Sequence, residues 1–168
     1  MKSKGLTRKT TVQDAIGDLY KSNGCYECPD CNQKFESGKY GKSFSAYQTA
    51  MRAGNTSVHP NSHRFAKHTD EIVKMQQYLI DNITPGVRIT PSDNLVDGLK
   101  RRGVTLLDKN SQSPTITSHP DDMVHYSEPR ILTVREMARL QSFPDWYEFK
   151  GKYTTGGKLR KIDVPRYT

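Results

Sequence analysis

Apolar residues recur at helical spacing in four stretches of this chain, and a capping residue introduces each one. Val12, Ile16 and Leu19 form a stripe behind a Thr11/Asp14 capping pair, with Asn23-Gly24 as the stop. The longest stripe, Ile72, Met75, Leu79 and Ile83, follows Thr69 with Asp70 and Glu71 in the first turn, and Pro85-Gly86 ends it. A third helix is expected from Thr90-Pro91-Ser92-Asp93, with Leu95, Val96 and Leu99 inward and Gly103 as its stop. The fourth is the most completely specified. Thr133 is its N-cap, Glu136 closes a capping box, Leu132 and Met137 form a hydrophobic staple, and Pro144 lies past its end. The spacing turns Val134, Met137, Ala138 and Leu140 to a core and leaves Arg135 and Arg139 on the polar side.

Two short strand-like runs, 104–107 and 115–118, joined by DKNSQSP, read as a hairpin with a polar loop. Four helices and a few short strands give an α+β fold. Three regions are expected: a basic arm and connecting helix (1–24), a polar region (25–129) with an insertion at 25–63, and the capped helix with its extension (130–168). Hydrophobic residues make up 33% of the 168, which is low for an independent core and suggests reliance on a neighbouring module. No apolar run is long enough for a membrane helix or a secretion signal, so a cytoplasmic protein with no membrane partner is expected. A formal net charge of +8 favours a polyanionic partner.

Cys25, Cys28 and Cys31 have Cys-x2-Cys-x2-Cys spacing, which suits one tetrahedral metal and argues against a disulfide framework in a cytosolic chain. A structural zinc would need a histidine as well. Two ligand sets are open: the three cysteines with one of His59, His63 or His68, or Cys28, Cys31, His59 and His63. Reduced thiols beside unrelated histidines are the alternative.

Arg130, Leu132, Thr133, Arg135, Glu136, Ala138, Arg139, Leu140, Gln141, Phe143, Pro144 and Asp145 together resemble the ninth conserved motif of bacterial DNA (cytosine-5) methyltransferases. That motif reads Arg-x-Leu-Thr-x-Arg-Glu and then Ala-Arg-Leu-Gln-x-Phe-Pro-Asp. TVQDAIGDLY is similar to the run that follows the family's eighth motif, and SPTIT resembles a stretch of its target-recognition domain. The resemblance implies methyl transfer from S-adenosylmethionine to a flipped cytosine, through a cysteine placed directly after proline. None of the three cysteines follows proline, and the glycine-rich cofactor loop and Glu-Asn-Val motif are absent. A C-terminal portion is therefore expected, which reads double-stranded DNA, needs an N-terminal catalytic half and is inactive alone. A self-contained zinc-binding nucleic-acid adaptor is the alternative.

The resemblance carries DNA contact onto Thr115 and next onto Thr117. Lys109, Asn110 and Gln112 suit base edges, although turns use the same residues. Lys100, Arg101 and Arg102 suit either phosphates or a helix C-terminus. Within the ninth motif Arg130, Thr133, Arg135, Glu136, Arg139 and Gln141 read as structural. The helix would act as a brace, with Phe143, Trp146, Tyr147 and Phe149 clamping the hairpin around Thr115, and Glu136→Ala should cost about 1 kcal/mol for a lost cap.

Overall fold

The computed structural model describes residues 9–29, 31, 35–96, 99, 103–117, 119–151, 153–154 and 166–167. The basic triplet Lys100, Arg101 and Arg102 lies outside the described residues. The architecture is α+β, with four α-helices and three small sheets among the described residues.

Helix α1 (Val12–Ile16) starts with the expected box: Thr11 Oγ1 accepts from the Asp14 N–H, and Asp14 accepts from the Thr11 N–H. Strands β1 (Cys25–Glu27) and β2 (Glu36–Gly38) form an antiparallel ribbon. Helix α2 (Ala46–Arg52), which the apolar pattern does not reveal, is capped by the Ser45 hydroxyl. Helix α3 (Asp70–Asn82) is the longest, but only Gln76 and Leu79 are buried on it and Ile72 is exposed. Its buried stripe is therefore offset from the predicted one.

The third predicted helix is a single 3-10 turn, Pro91–Asp93, closed by a Thr90/Asp93 box and ended at Asn94 in the left-handed region (φ 50°). Leu95 stays exposed, while Val96 and Leu99 pack on the core of the central sheet. That sheet corrects the hairpin reading. Strand β4 (Val104–Leu106) pairs antiparallel with β3 (Arg88–Ile89) and parallel with β5 (Met123–Val124). Every residue of β4 is buried, so it needs a neighbour on each edge, whereas 115–117 is irregular. Beyond helix α4 (Val134–Leu140), β6 (Tyr153–Thr154) pairs parallel with β7 (Arg166–Tyr167).

Two apolar clusters result. One joins Val12, Ile16 and Leu19 of the α1 region to Leu107, Met123, Tyr126 and Leu132, with Met137 and Ile116 against it. The other holds Leu79 against Ile89, Val104, Leu106 and Val124. The first cluster brings α1, α4 and the loop after β4 together, the arrangement on which the candidate site depends.

Candidate nucleic-acid interface and the buried brace behind it

The loop from Asp108 to Thr117 is largely exposed. Asp108 shapes its turn: one carboxylate oxygen accepts from the Asn110 N–H (2.9 Å) and the other from the Ser111 hydroxyl (2.5 Å), which holds its pKa below the usual range. The loop is anchored by its backbone. The Lys109 and Ser111 carbonyls accept from the Gln13 and Val12 N–H groups (3.0 and 2.8 Å), which a first helical turn leaves without helical partners. Lys109, Asn110, Gln112 and Thr115 consequently present their side chains outward, all exposed. Thr117 differs, because its hydroxyl donates to Asp122 (2.9 Å) and so shapes the loop's return.

Behind the loop lies a dense set of buried charges centred on α4. Arg135 and Arg139, expected on the polar side, are fully buried, and so are Glu136 and Asp145. Arginine is rarely buried unless paired, and here the partners come from distant segments. The Arg139 guanidinium donates to both Asp145 oxygens (2.6 Å each), to Asp18 (3.2 Å) and to the Ala15 carbonyl of α1 (3.0 Å). Burial alone would lower its pKa, yet Asp145 and Asp18 outweigh that and raise it. Asp18 also pairs with Arg52 (2.5 Å), which lies over the Tyr40 ring, and the Tyr40 hydroxyl donates to Asp145 (2.6 Å).

Arg135 reaches the other way. It donates to the Asn61 carbonyl (3.0 Å), the Asn61 side chain, the Pro144 carbonyl (3.1 Å) and the Tyr147 carbonyl (2.6 Å). Glu136 completes the set. It caps the helix through the Thr133 N–H (2.8 Å) and takes a two-pronged bond from Arg130 (2.7 and 2.8 Å). Burial opposes its ionisation, but the Arg130 charge and bonds prevail and lower its pKa to about 2. Of the motif residues, Gln141 stays outside the brace, exposed, with its side-chain amide donating to the Met137 carbonyl of its own helix.

Among the described residues, no group of three or more His, Cys, Asp or Glu is placed to hold an ion. Cys28 and Cys31 form a disulfide, contrary to expectation, and Cys25 is a free, half-buried thiol. His59 stacks on Tyr26. His63 is buried with both ring nitrogens engaged: Nε2–H donates to the Leu19 carbonyl (2.9 Å) and Nδ1 accepts from the Thr133 hydroxyl (2.8 Å). It is a structural link to the α4 cap. Burial lowers its pKa to about 4, and burial with the nearby Arg130 charge lowers that of His125 to about 3.

Those two imidazoles set a pH response. Unfolded histidine titrates near 6.5, so between that value and the folded ones the unfolded chain binds more protons and stability falls as pH falls. Glu136, ordinarily at 4.5 and here at about 2, acts in the same direction further down. The urea midpoint should therefore hold level above pH ~6.5 and drop steadily below it. A midpoint that rises on acidification contradicts this assignment.

The described sheets, of two or three strands each, do not form the larger parallel sheet on which a nucleotide cofactor is usually held. A groove of 870 Å³ is lined instead by Lys21, Glu36, Phe65, His68, Glu128 and neighbouring residues. No step through the cofactor is assigned to this chain. The sequence also left unread several residues that the brace uses: Asp18, Arg52, Tyr40, Asn61 and Glu128. Asp18 had a signal, an acid within the quoted helix run where burial would demand a cation.

The family model of C-5 cytosine-specific DNA methylases matches residues 6–162. The chain is 28% identical over 168 residues to the type II methyltransferase M.XorII of Xanthomonas oryzae pv. oryzae, a match covering 95% of this chain and 38% of that protein. To the type II methyltransferase M.AquIB of Picosynechococcus it is 34% identical over 112 residues, 66% of this chain and 75% of that protein. Against M.BbvI of Brevibacillus brevis the identity is 33% over 114 residues, 62% of this chain but 29% of the relative. The chain belongs to the C-5 cytosine-specific DNA methylase family. It spans well under half of M.BbvI and M.XorII.

Proposed function

We propose that this chain is the DNA-reading portion of a cytosine-5 methyltransferase, which positions a duplex for methyl transfer from S-adenosylmethionine by a catalytic portion. One observation carries the reading. Arg139 of the motif helix grips α1 through Asp18 and the Ala15 carbonyl, and the other end of α1 holds the exposed loop through the Lys109 and Ser111 carbonyls. A rigid buried element therefore sets the position of a polar loop rich in base-edge donors and acceptors.

Lys109 would meet phosphate, Asn110 and Gln112 base edges, and Thr115 the backbone beside them. The region 25–129 is then the target-recognition region. The reaction needs a nucleophile that these cysteines do not supply: Cys25 follows glycine, Cys28 glutamate and Cys31 aspartate. The protein alone should transfer no methyl group, and its place of work is the cytoplasm.

Duplex-binding titrations against salt test this. Affinity should fall as salt rises, and Lys109→Ala should reduce the slope of log affinity against log salt by about 1. Binding that is insensitive to both contradicts the proposal.

A further inference from the structure

On the side of α4 reached by Arg135, the chain exposes an aromatic surface that the DNA-reading role does not use. Trp146 is 57% exposed, Tyr147 40% and Phe143 36%. Phe143 and Tyr147 have ring centroids 5.1 Å apart, Tyr147 and Trp146 6.4 Å, and half-buried Phe149 continues the group 5.1 Å from Tyr147. Their backbone is held rigidly. The Pro144 and Tyr147 carbonyls accept from buried Arg135, the Asp145 carbonyl accepts from Asn61 (2.9 Å), and the Asp145 N–H donates to the Met51 carbonyl (2.7 Å). Buried charge is costly to keep, and here it fixes the shape of an apolar patch at the surface. A preorganised cluster of exposed aromatics is what a protein interface uses for its anchors.

The surroundings indicate which kind of partner fits. Glu148 and Lys150 flank the patch and neutralise each other (2.5 Å), and Asp145 is matched by Arg139 and Tyr40. Among the described residues that flank the patch, the cations are compensated, which is not what contact with a phosphate backbone requires. It suits an apolar protein face. M.XorII, matched along 95% of this chain, carries the larger share of its own length outside the match.

We propose that Phe143, Trp146 and Tyr147 form the docking surface for the catalytic portion of a cytosine-5 methyltransferase, an inference that rests on the DNA-reading function above. Trp146 is the sole tryptophan, so its fluorescence reports on the patch. The full chain is titrated with the part of M.XorII outside its match, produced as a separate polypeptide, and Trp146 emission and iodide quenching are recorded. Blue-shifted emission shielded from iodide is expected. Tyr147→Ala should weaken the association about tenfold or more, with the duplex affinity of the same variant unchanged.

Shielding that follows the chain's own concentration, shielding by duplex DNA alone, or no shielding with any addition overturns the proposal. Duplex affinity measured on the same samples separates the two readings. Lost duplex binding with Trp146 still shielded contradicts the DNA-reading function alone, and the reverse contradicts docking alone.

Discussion

Arg139→Met should destabilise the protein by about 3 kcal/mol or more, because it keeps the side-chain volume and removes the cation shared by two buried carboxylates. Asp18 would keep Arg52, and Asp145 would keep the Tyr40 hydroxyl and Arg135 at 3.7 Å, so the loss should stay toward the lower end of the range for a broken buried pair. A double-mutant cycle with Asp145→Asn is the sharper form of the experiment. The two losses should fall short of additive by on the order of 1–3 kcal/mol, since each substitution removes the same bonds. Additive losses measured by urea denaturation would mean that the two residues do not share the energy the geometry assigns them.

Glu136→Ala should cost about 3–5 kcal/mol, several times the value expected of a helix cap alone. The sequence shows Glu136 only as the third residue of a capping box. The structure adds that it is fully buried and takes two hydrogen bonds from Arg130, itself buried and otherwise held by Glu128 (2.7 Å). Alanine leaves a buried guanidinium half-paired and the Thr133 N–H without its acceptor. The substitution Glu136→Gln keeps the shape and an acceptor for the cap, and should recover part of the loss. A cost near 1 kcal/mol for Glu136→Ala would show that water reaches Arg130 in the variant.

These predictions mark where sequence reading reached its limit. Caps are local, so Thr11/Asp14 and Thr133/Glu136 were legible from residues three apart and both formed as expected. The burial of Arg135 and Arg139 was not legible. Two arginines four apart look like a solvated helix face, and the groups that bury them lie far along the chain, Asn61 at 74 positions from Arg135 and Asp18 at 121 from Arg139.

The strands failed for the same reason. Strand β4 could be recognised from Val104, Thr105 and Leu106, but its neighbours are set by burial on both edges, and the nearby 115–117 run is held by side chains instead. Helix α2 escaped because it is only seven residues long and its buried residue is polar: Gln48, whose amide bonds the Gln13 carbonyl of α1 (3.2 Å). His63 is spaced like a ligand, but its ring is engaged by the α4 cap and the Leu19 carbonyl, partners that no spacing shows.

Of the candidate DNA contacts, the structure separates outward-facing Lys109, Asn110, Gln112 and Thr115 from Thr117, which is tied to Asp122. The aromatics after Pro144 also part from expectation. Phe149 lines a cavity with Tyr26, Pro60 and Asn61, while Phe143, Trp146 and Tyr147 are exposed, so the group lies on that side of the molecule. The link from the motif to the loop runs through α1.

The division between a buried brace and a reading loop is tested most directly by selection from a pool of randomised duplexes at low salt, using the wild type, Glu136→Ala and the double variant Asn110→Ala/Gln112→Ala under conditions where all are folded. The wild type and Glu136→Ala should enrich the same sequence, and the loop variant should enrich a different one or none. A changed preference in Glu136→Ala, with the loop variant still selecting the wild-type sequence, would contradict the account.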